Sequence, residues 1–126
     1  MPEADPNAIL VVEDESVLRR LLVTTLRSEG YTVFEAENGD QGRQQAFKHH
    51  PRLVLLDIIM PGMNGIEMLQ KLRQDEWGKD AHVVLLTNLD DSEDIERARQ
   101  FGVKDYLVKS DWSLDELCAE VKEKIG

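Results

Sequence analysis

The chain has 126 residues, 41% of them apolar and 32% charged, a balance that supports one folded domain and speaks against a disordered chain. Twenty-five Asp and Glu against fifteen Lys and Arg leave a net charge of −10, so direct binding to nucleic acid or anionic lipid is not expected. One cysteine, Cys118, rules out an internal disulfide framework and a cysteine metal site.

The first residues, Met1 to Asn7, lack the basic and apolar regions of a signal peptide, and residues 1–6 read as a flexible N-terminus. No apolar run approaches the roughly 18 residues of a membrane span. The expectation is therefore a single cytoplasmic domain over 1–126, with a core from about 7 to 125 and no membrane contact.

Short apolar runs alternate with helix-period stretches. Ile9–Val12 is the first predicted strand. Val17, Leu18, Leu21, Leu22, Thr25 and Leu26 follow at helical spacing, and Gly30 reads as the C-terminal cap. Tyr31–Phe34 is a second, more polar strand. A helix over Gly39–His49 has little apolar content beyond Ala46 and Phe47. Leu53–Leu56 is a third strand, apolar at every position. Asn64 and Glu67 form a capping-box variant opening a helix with Ile66, Leu69 and Leu72 inside. Val83–Leu86 is a fourth strand. Asp90, Asp91 and Ser92 suit the positive end of a helix that carries Ile95, Ala98 and Phe101. Tyr106–Val108, flanked by charge, is the fifth strand, and Ser113 with Glu116 caps a last helix whose buried stripe is Leu114, Leu117, Cys118 and Val121.

Three strands with no polar position are strands covered on both faces, and the two more polar runs belong at the edges. This predicts an α/β three-layer sandwich: a doubly wound five-stranded parallel sheet, order 2-1-3-4-5, with five helices. In such sheets ligands bind beyond the carboxyl ends of the strands. At those ends stand Glu13 and Asp14, Asp57, Thr87 and Lys109. Three converging carboxylates repel one another unless a cation sits among them, and Mg2+ suits oxygen ligands of this kind. Lys109 and Thr87 offer a point charge and a hydroxyl donor for phosphoryl oxygens.

With the segment Asp57-Ile58-Ile59-Met60-Pro61-Gly62-Met63-Asn64-Gly65, these strand-end residues resemble the receiver domain of two-component response regulators, over about residues 7 to 125. The order 2-1-3-4-5 is itself the known order of the family's chemotaxis receivers, so it is not an independent prediction. The resemblance implies that Asp57 accepts a phosphoryl group from a phosphohistidine of a sensor kinase or phosphotransfer protein. It implies Mg2+ held by Glu13, Asp14, Asp57 and the backbone carbonyl of Ile59, with Lys109 and Thr87 neutralising the phosphoryl oxygens. Thr87 and Tyr106 would be the switch pair, changing the surface of the fourth helix, fifth strand and fifth helix, which would meet a downstream partner, an output domain or a second copy. Such a protein catalyses only its own phosphorylation and slow dephosphorylation.

Three positions depart from the family pattern. Ser110 replaces the proline that usually follows the lysine, and Asn88 replaces a small residue. Ile59 cannot hydrogen-bond a hydrolytic water, which predicts slow self-dephosphorylation. Residue by residue, plainer readings stand beside these roles: Glu13 and Asp14 as helix-capping acids, Asp57 as a strand-end turn, Thr87 as a strand terminus, Lys109 as a solvated charge and Tyr106 as an edge-strand residue. Met60 and Met63 read as loop packing, Trp77 and Trp112 as covers for the core edge with Trp112 also suited to anchor a partner, and His49 and His50 as cations at a helix end. A pseudo-receiver, binding a partner without phosphorylation, is the alternative function; a phosphatase would need a second acid where Ile59 stands, and a flavodoxin-like protein a phosphate loop where Glu13-Asp14-Glu15 stands.

Overall fold

Five parallel strands form one sheet in the order β2-β1-β3-β4-β5. The structure, a computed structural model, describes residues 6–58, 65–87, 92–109 and 113–125, without the side chains of Asp80 and Ser92. In chain order the elements are β1 (Ala8–Val12), α1 (Ser16–Ser28), β2 (Thr32–Ala36), α2 (Gly39–His49), β3 (Leu53–Asp57), α3 (Gly65–Arg73), a 3-10 turn (Gly78–Asp80), β4 (His82–Thr87), α4 (Ser92–Gln100), β5 (Asp105–Val108) and α5 (Leu114–Ile125).

Side chains alternate across each strand and divide the core in two. Leu10, Val12, Val54, Leu56, Val83 and Leu85 face one side, where Ala46 of α2, Leu69 and Leu72 of α3 and Ala98 of α4 cover them. Ile9, Val11, Leu53, Leu55, Val84 and Leu86 face the other, under Leu22, Val23 and Leu26 of α1 and Leu117 and Val121 of α5. Every residue of β1 and β3 is buried, whereas β2 and β5 carry exposed and half-buried positions, as edge strands do.

Local signals account for most element ends. Gly30 closes α1 at φ +99°, with its N–H on Arg27 O and the Tyr31 N–H on Leu26 O. Asn38 caps α2 by accepting from the Gln41 N–H at 2.8 Å. Ser113 caps α5 through the Glu116 N–H, and the Glu116 carboxylate reaches back to its hydroxyl. Asn64 and the Asp90-Asp91 pair lie outside the described residues, as do Met60, Met63 and Trp112.

Helices α1 and α5 differ from their expected faces, and α2 buries a face its sequence did not mark. On α1 the buried stripe is Leu22, Val23 and Leu26, while Val17 and Leu21 are 75% and 45% exposed. The helix carries two apolar rows about one position apart, and the sheet can cover only one of them. On α2 the buried face is Gly39, Gly42 and Ala46, so close approach replaces apolar bulk. A Cβ at Gly42 would fall 2.8 Å from Met68 Sδ and 3.0 Å from Val12 Cγ2. Cys118 is half-buried rather than a core residue, because α5 turns Leu117 and Val121 inward instead. At the other end of α2, His49 stacks on Phe34 and His50 stacks on Trp77, which itself packs against the core edge.

The first residue of α3 is pressed against the chain leaving β3. The Gly65 N–H donates to Ile58 O at 2.8 Å, and a Cβ on Gly65 would collide with the Asp57 carbonyl oxygen and sit 2.8 Å from Ile58 Cα. Backbone cannot yield as a flexible side chain can. Gly65→Ala is therefore expected to cost about 1–3 kcal/mol and lower the melting temperature by several degrees, despite alanine's better helix propensity. Thermal unfolding followed by circular dichroism checks this; an unchanged or higher midpoint would show that the contact relaxes freely.

Candidate functional site

The register of the sheet builds a staircase at its carboxyl edge. Val12 pairs with Leu56, which sets Glu13 level with Asp57. Asp57 pairs with Leu86, and Thr87 with Val108, so Thr87 and Lys109 each stand one step further along. The Lys109 N–H donates to Thr87 O at 2.7 Å and holds the last step in place.

Three of the expected residues are buried here: Glu13 is 0%, Asp57 3% and Thr87 1% exposed. Lys109 Nζ lies 2.8 Å from Glu13 Oε1 and 3.2 Å from Asp57 Oδ1, bridging the two carboxylates. Asp14, the next residue on the loop, is exposed, and a carboxylate oxygen from each of Glu13, Asp14 and Asp57 lies within 4.8 Å of the others. The Thr87 hydroxyl is 3.5 Å from Leu107 O, a bond at the limit of length. Tyr106, on the edge strand β5, is 44% exposed. The carbonyl of Ile59 lies outside the described residues, as do Asn88 and Ser110.

One cation serves two buried carboxylates, and the imbalance bears on the Asp57 carboxyl. Burial, joined by hydrogen bonding to Glu13 and its charge, pushes the Asp57 carboxyl up to about 8, and Lys109 only partly opposes this. For Lys109, burial works against the ammonium, but its bond to Glu13 and the charges of Asp57 and Glu13 prevail and raise its pKa. Glu13 Oε2 is buried with no hydrogen-bond partner among the described residues. A buried, unpartnered carboxylate oxygen beside two further carboxylates is short of positive charge, and that deficit fits a hard divalent cation with oxygen ligands.

Sequence reasoning passed over Arg19. Its guanidinium donates to Glu13 O at 2.9 Å and to Glu35 Oε1 at 3.1 Å, joining the acidic loop to the end of β2. The available signal was a cation as the fourth residue of α1, four residues after the last of three consecutive acids. Arg73 was also missed: it donates to Phe101 O, Gly78 O and Ala81 O and ties the end of α3 to the end of α4 and the start of β4. Backbone carbonyls leave no pattern in a sequence.

A doubly wound parallel sheet thus gathers acids and a lysine at its carboxyl edge. Residues 9–122 match the response regulator receiver domain, and the chain belongs to that family. It is 34% identical over 116 residues to the phosphate regulon transcriptional regulatory protein PhoB of Pseudomonas aeruginosa, covering 92% of this chain and 50% of that protein. It is 36% identical over 109 residues to the transcriptional regulatory protein ResD of Bacillus subtilis, covering 86% of this chain and 44% of that one. The chain thus spans about half the length of the curated relatives it matches. Among solved structures, the receiver domain of the sensor histidine kinase PA1611 from Pseudomonas aeruginosa, described with a magnesium ion coordinated in its active site cleft, is 30% identical with a TM-score of 0.85, covering 95% of this chain and 98% of that one. The chemotaxis protein CheY4 of Vibrio cholerae is 25% identical with a TM-score of 0.85, covering 92% and 96%. No helix among the described residues is long and apolar enough to cross a membrane.

The charge imbalance has a signed consequence for the metal-free protein. With Asp57 near 8 when folded and about 4 when unfolded, the native state holds a proton the unfolded chain has lost between these values, so this group's contribution to stability falls as pH rises from about 4 to 8. Asp57→Asn removes the penalty. In EDTA its stability advantage over the wild type should grow from pH 5 to pH 8 by denaturant unfolding, and an advantage independent of pH would refute the assignment. Lys109→Met should act in the opposite direction, costing about 3 kcal/mol by leaving the buried carboxylates without their cation.

Proposed function

We propose that this chain is a phosphorylation-dependent switch of two-component signalling, with Asp57 as the acceptor. The single observation that carries the reading is the buried Asp57 carboxylate with Lys109 Nζ at 3.2 Å and Glu13 and Asp14 beside it. Glu13, Asp14, Asp57 and the Ile59 carbonyl would hold Mg2+, whose charge would keep Asp57 ionised and balance the oxygens of an incoming phosphoryl group.

Asp57 attacks phosphorus in line with the leaving nitrogen of a phosphohistidine. A bond forms between carboxylate oxygen and phosphorus as the phosphorus–nitrogen bond breaks, and the electron pair stays on the imidazole. Lys109 remains beside the acceptor and offsets the charge that arrives. The phosphoryl group brings about −1.5 to −2 charge and strong acceptors, and Thr87 turns its hydroxyl toward them at the cost of only a 3.5 Å bond to Leu107 O. Tyr106, exposed in this state, rotates into the space Thr87 leaves and alters the surface of α4, β5 and α5.

The donor is a sensor histidine kinase or a phosphotransfer protein, and the altered surface meets a downstream protein, an output domain or a second copy of the chain. That matched relatives are named transcriptional regulatory proteins supports an output in gene control carried by a partner or by sequence outside this domain. The activity is confined to the domain's own phosphorylation and its slow reversal, in a single cytoplasmic receiver domain.

Intact mass after incubation with Mg2+ and a small-molecule phosphodonor tests the reading. One phosphoryl adduct is expected, absent in Asp57→Ala and absent with EDTA. No adduct on a folded protein that also fails to bind beryllofluoride would favour the pseudo-receiver. Once the adduct is made, Ile59→Asn should shorten its half-life several-fold by giving the hydrolytic water a hydrogen-bond partner. An equal or longer half-life would remove Ile59 as the cause of slow reversal.

A further inference from the structure

The loop bearing Glu13 and Asp14 has little to hold it in its own sequence. Three acids, Glu13, Asp14 and Glu15, follow one another, and the N-cap of α1, Glu15, makes no side-chain cap. Like charges in a row favour a spread of conformations rather than one. The restraint comes from outside the loop. The Glu13 N–H donates to Ala36 O at 3.0 Å, and the Glu13 carbonyl accepts from Arg19 Nη1 at 2.9 Å. The same nitrogen lies 3.5 Å from the Asp14 carbonyl. The other side of the guanidinium is fixed by Glu35, at 3.1 Å from Nε, with Glu37 at 4.0 Å from Nη2. Only 15% of the Arg19 side chain is exposed.

We propose that Arg19 is a positioning residue for the acidic pair: it clamps the backbone of Glu13 and Asp14 to the end of β2 and so sets the affinity of the site for a divalent cation. The proposal rests on the reading of Glu13, Asp14 and Asp57 as that cation's ligands. Arginine suits the task because its planar fork serves carbonyls on one edge and carboxylates on the other, which one ammonium cannot do. Glu35 and Glu37 also offset its charge, so a cation can stand near the site with less repulsion toward the metal.

Charge and positioning predict opposite signs. If Arg19 acted only through its charge, removing it would tighten Mg2+ binding by relieving repulsion. If it acts by holding the loop, removing it weakens binding, because the carboxylates must be ordered at the moment of binding.

The test is a calorimetric Mg2+ titration of the full chain as wild type, R19Q, R19K and E35Q, beside amide hydrogen exchange of residues 14–17 without metal. R19Q should raise the Mg2+ Kd roughly tenfold, the size expected when a residue orienting metal ligands is lost. R19K, which keeps the charge but not the fork, should also bind more weakly, and E35Q should show a smaller loss. Loop amides should exchange faster in R19Q while β3 amides stay protected. Should R19Q not fold, R19K decides the matter by the same sign, since it keeps the charge and loses only the fork. Equal or tighter Mg2+ binding in the variants, or unchanged loop exchange, overturns the proposal and leaves the metal site standing. A wild-type chain that binds no Mg2+ removes the metal reading and this proposal together.

Discussion

Lys109 reaches across the carboxyl edge of the sheet to lie 2.8 Å from Glu13 and 3.2 Å from Asp57, and the chemistry of the site follows from that contact. Two carboxylates are buried with one cation between them, in a place where water cannot screen their repulsion. The deficit is expressed at Asp57, whose carboxyl is pushed up to about 8, and at Glu13, whose second oxygen has no partner among the described residues. A protein selected only for stability would replace such a trio by apolar residues, because ion pairs in the interior seldom repay their desolvation. Keeping it makes sense where a further positive charge arrives from solution.

The sheet makes the contact possible by rigid means. Parallel pairing fixes Glu13 level with Asp57 and carries Thr87 one step and Lys109 two steps beyond, so four strands deliver residues at their ends to one edge. Strands buried on both faces cannot slip register without moving apolar side chains, since a one-residue slip exchanges the two faces of the sheet. Behind the edge, Gly65 lets the first turn of α3 press against the carbonyl of Asp57 itself. Arg73 then fastens the far end of that helix to Phe101 O, after α4. One rigid element thus touches Asp57 at one end and the residue after α4 at the other.

Much of this was legible in the amino-acid order, for reasons that also mark where legibility stops. Ile9–Val12, Leu53–Leu56 and Val83–Leu86 could be read as central strands because covering both faces leaves no polar position to confuse the period. Glu13, Asp14, Asp57, Thr87 and Lys109 could be read together because strand ends are where such a fold gathers its chemistry. The face of α1 could not be chosen, since Val17 and Leu21 form a row as apolar as Leu22 and Leu26, and only the sheet decides between them. The buried side of α2 was hidden for the opposite reason: Gly39, Gly42 and Ala46 bury by closeness, and small residues carry no hydrophobic signal. Arg19 and Arg73 were invisible because their partners include main-chain oxygens, which every residue possesses.

The same economy bears on switching. A two-state element must lose little when it leaves its resting state, or no local charge could move it. On the proposed reading Thr87 would meet this condition, since its hydroxyl would give up only a 3.5 Å contact with Leu107 O while its backbone stays bonded to Lys109 at 2.7 Å. Tyr106 meets it as well, sitting on an edge strand with 44% of its surface in water. Both are side-chain freedoms on a fixed backbone, whereas Glu13, Asp57 and Lys109 are bound to one another and have no such slack. On the proposed reading, charge is received by the rigid trio and reported by the loosely held pair, so the division between chemistry and signal is already drawn in the strength of each residue's contacts.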